Sequence, residues 1–210
     1  MRVLGLCVIL SGAAAAADWP QWGGPDRNFR LPAGIKAPGW PAAGPKQLWA
    51  RDLGDGYSSI VVSRNVLYTM YRKGSQDVVI ALDPATGKTV WETGIDAPHS
   101  SGMNLEAGPG PHSTPLVIGD RIFVTTVIAH LVALDRSTGK RLWSHDLWKE
   151  FKGTFLERGY ASSPLAYKGA VIVPVGGAER ALMAFRQSDG SARLTGVGNP
   201  VLPGADHKHP

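Results

Sequence analysis

Cysteine is almost absent from this sequence, because Cys7 is the only one among 210 residues. Residues 18–210 therefore contain no thiol. This excludes a disulfide, a cysteine nucleophile, a zinc site built on cysteine and a CxxCH haem attachment from that part of the chain.

Long apolar runs and clusters of like charge are also missing after residue 17. The formal net charge is +5, and lysine and arginine are scattered rather than alternating with aromatic residues. This pattern argues against nucleic-acid binding. The one apolar run, VLGLCVIL, follows Arg2 and precedes the small residues SGAAAAA. It predicts a signal peptide over residues 1–17, cut before Asp18, with no membrane span after cleavage and a periplasmic or secreted location.

No segment shows the spacing of a long amphipathic helix, whereas turn-forming residues are abundant. Glycine and proline make up 42 of the 210 residues, against roughly 12% in an average protein. Short alternating runs such as DRIFVTTV lie between these turn residues. The sequence therefore predicts an all-β fold.

One stretch of the chain occurs twice. ALDPATGKTVW at residues 81–91 and ALDRSTGKRLW at residues 133–143 share seven of eleven positions at an offset of 52. YSSI, HSTP and SSP, which begin at residues 57, 112 and 162, open three segments, each with about four short strands. Four antiparallel strands in a unit of about 50 residues are typical of a β-propeller blade, and a blade buries its faces only by stacking on neighbours. A parallel β-helix stays open as an alternative.

The repeated stretch reads as a turn between two strands. Asp83 can accept hydrogen bonds from the amides of its own turn and from the Thr86 hydroxyl, and Gly87 can adopt a positive φ. Trp91 then lies where its ring can pack on the adjoining blade. We interpret these residues as structural, because a catalytic group is rarely repeated once per unit.

The pattern A-x-D-x-x-T-G-K-x-x-W resembles the tryptophan-docking motif of the pyrroloquinoline-quinone (PQQ) propeller repeat. DWPQWGGPDRNF (18–29), LWKEFKG (147–153) and RGYASSPL (158–165) are similar to secreted bacterial PQQ-like repeat proteins. The resemblance implies a β-propeller of four-stranded blades in which each tryptophan ties neighbouring blades together. The docking residues that it implies are Ala81, Asp83, Thr86, Gly87, Lys88 and Trp91 in one blade, and Ala133, Asp135, Thr138, Gly139, Lys140 and Trp143 in the next.

Proteins with this repeat include dehydrogenases and non-enzymes. The dehydrogenases use PQQ, a vicinal-cysteine disulfide and a calcium site. Here the disulfide is impossible, and Asn104 with Glu106 fall short of the six to eight oxygens that calcium takes. His112 reads as a residue at a blade end, and His207 and His209 read as incidental. We therefore predict no catalytic, cofactor-binding or metal-binding residue and no cofactor. The prediction is a non-enzymatic envelope scaffold; a fragment of a quinoprotein alcohol dehydrogenase is the alternative.

The repeat weakens near the C-terminus. Aligning the third unit places Asp135 on Arg186, Gly139 on Gly190 and Trp143 on Leu194. We predict an N-terminal segment (18–50) with a ring-closing strand, KQLWARDL (46–53), followed by propeller repeats (51–191) and a non-repeat tail without strands (192–210). About three to four blades would be present, in a truncated or frameshifted copy. The expected partners are a protein or polysaccharide on one propeller face and a second copy through open blade edges.

Overall fold

The computed structural model describes residues 18–35, 39, 41–177 and 180–195. The predicted signal peptide (1–17) and most of the predicted tail (196–210) lie outside the described residues. Among the described residues, no helix has the length and apolar composition needed to cross a membrane.

Three antiparallel sheets of four strands follow one another along the chain. The first blade contains β1 (Val61–Ser63), β2 (Val66–Lys73), β3 (Gln76–Leu82) and β4 (Thr89–Asp96). The second contains β5 (Leu116–Ile118), β6 (Arg121–Thr125), β7 (His130–Asp135) and β8 (Arg141–Asp146), followed by the short helix α1 (Leu147–Phe151). The third contains β9 (Leu165–Tyr167), β10 (Ala170–Pro174), β11 (Leu182–Arg186) and β12 (Ala192–Thr195). The prediction of a partial β-propeller is confirmed.

The blades stand around a common axis. Strand β5 approaches β1 on one side and β9 on the other, so the first strand of each blade is innermost. Each blade has the order first-second-third-fourth, which leaves β4, β8 and β12 outermost. The chain therefore enters the first strand of each blade at one end of the axis, and the hairpin between the second and third strands lies at the same end. We call this end the entry end. The tight turns after β3, β7 and β11 lie at the opposite end.

The core lies between blades, because each sheet carries apolar side chains on both faces. In the second blade one row across the sheet consists of Leu116, Phe123, Ala133 and Trp143. This row packs with Val171, Val173 and Phe185 of the third blade. Close packing of two such faces is the main stabilising term in stacked repeats.

The same register recurs in each outer hairpin. Ala81 faces Trp91, Ala133 faces Trp143 and Ala184 faces Leu194, and one extra residue follows each pair as a β-bulge. Leu194 thus holds the register position of the docking tryptophan, as the sequence alignment predicted.

Two predicted boundaries need correction. Residues 192–195 were expected to lie outside the strands, but they form β12 and pair with β11. The backbone of the preceding turn explains this, because Gly190 N donates to Arg186 O and Arg186 N donates to Ser191 O, as in the other two turns. The predicted ring-closing strand KQLWARDL (46–53) is also wrong, since these residues form no strand.

Candidate binding site at the axial end of the blades

Three tryptophans make the same contact with the outer turn of the following blade. Each indole N–H donates to a turn carbonyl: Trp49 to Pro84 at 2.8 Å, Trp91 to Arg136 at 3.0 Å and Trp143 to Gln187 at 3.1 Å. The residue two positions later bonds the carbonyl of the turn glycine in each case: Arg51 with Gly87, Thr93 with Gly139 and His145 with Gly190. The predicted docking residues therefore lie on blade rims, away from the axis.

Trp49 was not recognised as a docking residue from the sequence. It packs on Gly87, where an added Cβ would come within 2.6 Å of the indole ring. With Leu53 it covers the outer apolar face of the first blade, which includes Ile80 and Leu82. A signal was present, because K-x-x-W at residues 46–49 repeats the K-x-x-W of residues 88–91 and 140–143.

The turn aspartates are saturated with local hydrogen bonds. Asp135 Oδ1 accepts from the amides and hydroxyls of Ser137 and Thr138 at 2.6–3.0 Å. These donors lower the pKa of Asp135 to about 2, the Ser137 hydroxyl contributing most. The Thr86 hydroxyl likewise lowers the pKa of Asp83. A carboxylate held this way favours its ionised form and is a poor general base at neutral pH.

The third turn keeps a carboxylate at a different position. Arg186 stands at the place of Asp135, and Asp189 stands at the place of Thr138. Asp189 accepts from the Ser191 amide at 2.9 Å and from its hydroxyl at 2.7 Å. The Ser191 hydroxyl lowers the pKa of Asp189 to about 2.

At the entry end, hydroxyl groups join the blades in sequence. Ser59 N donates to Thr114 Oγ1 at 3.1 Å, and Thr114 N donates to Ser163 Oγ at 2.9 Å. Ser59, Thr114 and Ser163 belong to YSSI, HSTP and SSP, the stretches that open the three repeat segments in the sequence. Each hydroxyl therefore satisfies a backbone amide of the preceding blade, which would otherwise lie unpaired near the axis.

The N-terminal segment 18–29 crosses the inner edges of all three blades. Trp19 exchanges both backbone hydrogen bonds with Val62 of β1, at 2.8 and 2.9 Å. The Pro20 carbonyl accepts from Val117 N of β5 at 2.8 Å, and Arg27 donates to Ala166 O of β9 at 3.3 Å. The resemblance to PQQ-like repeat proteins includes this segment, but it does not predict where the segment lies in the fold.

Two further residues hold this segment. The Asp18 carboxylate accepts from Ser63 Oγ at 3.0 Å and from Arg64 N at 2.9 Å, which caps the β1–β2 hairpin. Gly24 has φ +79°, and a Cβ there would come within 2.7 Å of the Trp19 ring. Only glycine combines this backbone conformation with so close an approach.

An open cavity of about 440 Å³, which we call the axial cavity, lies at the entry end between this segment and the blade entries. This size falls within the roughly 300–1,000 Å³ of small-molecule sites. The N-terminal segment contributes Trp22, and the three blade entries contribute the rest of the lining: Tyr57, His112, Thr114, Ala161, Ser162 and Ser163.

The aromatic side of this cavity is rigid. The rings of Tyr57 and His112 stack with centroids 5.4 Å apart and planes 21° apart, and Tyr57 N donates to Pro111 O at 2.9 Å. Gly108 packs against the tyrosine ring, where a Cβ would lie 2.8 Å from Cζ. Burial lowers the pKa of His112. The lowered pKa favours the neutral imidazole at pH 7.

A buried ion pair joins the first two blades beside His112. Arg72 Nη1 donates to Asp77 Oδ1 at 2.8 Å, and Val127 N of the second blade donates to Asp77 Oδ2 at 2.7 Å. Burial raises the pKa of Asp77, and these donors offset part of that effect. Val127 O accepts in turn from Tyr160 N, so the contact extends from the first blade to the entry of the third.

A known protein family matches most of this chain. The family profile described as "Outer membrane protein assembly factor BamB", which is built on the PQQ-like repeat, matches residues 41–197. The chain belongs to this family. The match spans all three blades and the Trp49 segment of this PQQ-like repeat protein.

Curated relatives are alcohol dehydrogenases. The chain is 28% identical to the 1-butanol dehydrogenase (cytochrome c) of Thauera butanivorans over 97% of its own length and 30% of that protein. It is 29% identical to the quinohemoprotein alcohol dehydrogenase ADH IIB of Pseudomonas putida over 67% of its length and 20% of that protein. The chain thus spans less than a third of the curated relatives it matches.

One solved structure aligns with part of the chain. The crystal structure of the quinohemoprotein alcohol dehydrogenase from Comamonas testosteroni aligns with a TM-score of 0.47 and 22% identity, over 67% of this chain and 21% of that one.

The residues that the sequence offered as calcium ligands form a local contact with each other. Asn104 and Glu106 bond to each other, through Glu106 N to Asn104 Oδ1 at 2.8 Å and through the amide to the carboxylate at 3.4 Å. Across the described ranges, no group of three histidine, cysteine, aspartate or glutamate side chains is placed to hold a metal ion. His99 Nε2 lies 2.8 Å from the Pro109 carbonyl oxygen, and His207 and His209 lie outside the described residues.

Proposed function

We propose that this chain forms part of a PQQ-like propeller of the cell envelope that works as a binding scaffold, with its ligand in the axial cavity. The observation that carries the proposal is the cavity itself. Its lining comes from three blades and the crossing N-terminal segment, so it exists only when the repeats are assembled. Exposed aromatic rings beside hydroxyl groups suit the binding of a small ligand.

The envelope location rests on two observations. The residues before Asp18 have the composition of a signal peptide. The family description also names outer-membrane assembly. Intact mass of exported protein should correspond to a chain that begins at Asp18, whose side chain caps the β1–β2 hairpin. Envelope protein that retained Met1 would contradict this.

A second candidate function is a fragment of a quinoprotein dehydrogenase, and the curated relatives favour it. Titration of the purified chain with PQQ and calcium separates the two. The scaffold proposal expects no saturable quinone binding and no calcium-dependent dye reduction with an alcohol. Saturable binding together with dye reduction would overturn the proposal.

A further inference from the structure

We infer that the axial cavity binds a neutral saccharide. This inference rests on the proposed scaffold function and specifies the ligand class of the same site. Three properties of the cavity lead to it: flat aromatic surfaces open to solvent, hydroxyl groups with protons to donate, and a lining without ionised side chains.

Two aromatic side chains of the lining are exposed to solvent. The docking residues Trp91 and Trp143 are largely covered by neighbouring blades, but Trp22 is 54% exposed and Tyr57 is 61% exposed. Both are held in place, Tyr57 by its stack on His112 and Trp22 by an edge contact with Phe29 at 5.3 Å. Rigid exposed rings offer a π face to polarised C–H groups, and the face of a pyranose ring carries such groups. Little conformational entropy is lost when such rings bind.

The hydroxyl groups have unused donor capacity. Thr114 Oγ1 and Ser163 Oγ each accept a backbone N–H from the preceding blade. A hydroxyl has one proton to donate in addition to its acceptor lone pairs. Neither hydroxyl donates to another group in the described part of the chain. Thr114 is only 2% exposed, but Ser163 is partly exposed, so the Ser163 proton can reach an acceptor in the cavity, such as a sugar hydroxyl or ring oxygen.

The charge of the lining selects among ligands. Of the residues that the structure describes, no lysine, arginine, aspartate or glutamate lines the cavity. The lowered pKa of His112 favours its neutral form. A uronic acid, sulfated sugar or phosphopeptide would lose its hydration without gaining a counter-charge, which is costly. An uncharged sugar loses only hydroxyl hydration, and the hydroxyl groups of the lining can replace it.

The test is calorimetric titration of the full chain with cellotetraose, xylotetraose and mannotetraose, and with galacturonic acid oligomers as the charged comparison. At least one neutral oligosaccharide should bind with a Kd of about 1 mM or tighter. Trp22→Ala and Tyr57→Ala should each weaken that binding at least tenfold. Tyr167→Ala is the matched control, because Tyr167 is 54% exposed on β9 and does not line the cavity.

A second readout separates binding from folding. Because Trp22 is exposed, Trp22→Ala should leave the urea midpoint nearly unchanged while it removes the change in tryptophan fluorescence that the sugar causes. Absence of binding by all three neutral oligosaccharides, or binding that survives both alanine variants, would overturn the saccharide inference. An unphosphorylated peptide that bound in the cavity instead would overturn it and leave the scaffold proposal standing. Calcium-dependent quinone binding with dye reduction would overturn both.

Discussion

At the scale of single residues, the outer turns depend on a carboxylate with local donors. Asp83, Asp135 and Asp189 stand at two different positions of the turn, yet each accepts from nearby hydroxyls and amides. The requirement is therefore an acceptor inside the turn rather than an aspartate at one position. This explains why the third turn forms although Arg186 replaces the expected aspartate.

The first prediction concerns Asp135. Asp135→Ala should lower the free energy of unfolding by about 1–3 kcal/mol, because several turn donors lose their acceptor. The folded pKa of about 2 lies below an unfolded value of about 3.9. The unfolded state therefore takes up its proton first, and stability is lost as the pH falls from about 4 to 2. Urea melts at pH 7 and pH 3 measure both effects.

In these melts the parent should lose more stability between the two pH values than the alanine variant does. Asp120→Ala is the control, because the Asp120 carboxylate is exposed and bonds only Arg121. Equal stability of Asp135→Ala and Asp120→Ala at pH 7 would contradict the role assigned to the turn carboxylate.

The second prediction concerns tryptophan docking. Trp143→Ala should cost about 3–5 kcal/mol, the usual range for truncation of a packed tryptophan. Gly190→Ala should also destabilise the protein, since φ there is +76° and a Cβ would come within 2.8 Å of the Trp143 ring. Chemical denaturation measures both, with Trp22→Ala as the exposed-tryptophan control. A Trp143→Ala midpoint equal to that of Trp22→Ala would rule out docking.

At the scale of elements, the blades are joined differently at their two ends. The outer turns use tryptophan and glycine, whereas the entry end uses the hydroxyls of Thr114 and Ser163. The outer contacts bury an aromatic surface. The entry contacts mainly satisfy backbone amides. Loss of an outer contact should therefore cost packing, and loss of an entry contact should leave an unpaired donor.

The third prediction tests the entry contacts. Thr114→Val keeps the shape of the side chain, which is 2% exposed, but removes the acceptor for Ser59 N. It should lower the free energy of unfolding by about 1–3 kcal/mol, the penalty for an unsatisfied buried donor. Thr114→Ser retains the oxygen and should recover most of the stability in the same melt. Equal losses for valine and serine would show that the methyl group matters rather than the hydroxyl.

At the scale of the whole molecule, the face of the third blade that points away from the second blade is exposed. The corresponding faces of the first and second blades are covered by the next blade. Leu165, Tyr167 and Leu182 are 37%, 54% and 53% exposed on one side of this sheet. By register, Leu165 and Ile172 match Leu116 and Phe123, which are buried against the third blade. Contiguous apolar patches of this kind are uncommon on soluble monomers.

The fourth prediction is that the chain self-associates through this face. Sedimentation velocity at rising concentration should show species larger than the monomer. Leu182→Lys should shift the distribution toward monomer, because it places a charge in the apolar face. Leu142→Lys, at a leucine that is 43% exposed on outer strand β8, should leave the distribution unchanged. A monodisperse monomer at all concentrations would contradict the prediction.

Several features of this molecule could be predicted from the sequence because they depend on local pattern. The repeat of ALDPATGKTVW, the alternation in the strands and the turn glycines act over a few residues, so they were enough to predict blades and the position equivalent to Trp143. Trp49 and β12 were missed for the opposite reason. Trp49 does not lie on a strand of a four-stranded repeat, unlike Trp91 and Trp143. Strand β12 lacks both the tryptophan and the alternation that mark the other outer strands.

The sequence by itself determined the all-β class, the blade repeat and the residues of the outer turns, because neighbours along the chain make those contacts. Only the tertiary structure decided that the N-terminal segment crosses three inner edges, and that Trp22, Tyr57 and Ser163 line one cavity. Residues 22 and 163 are far apart in the sequence, and no local pattern encodes their approach. They meet because stacked blades place every entry segment at the same end of one axis, and the backbone of residues 18–20 satisfies unpaired groups on the inner edge strands β1 and β5.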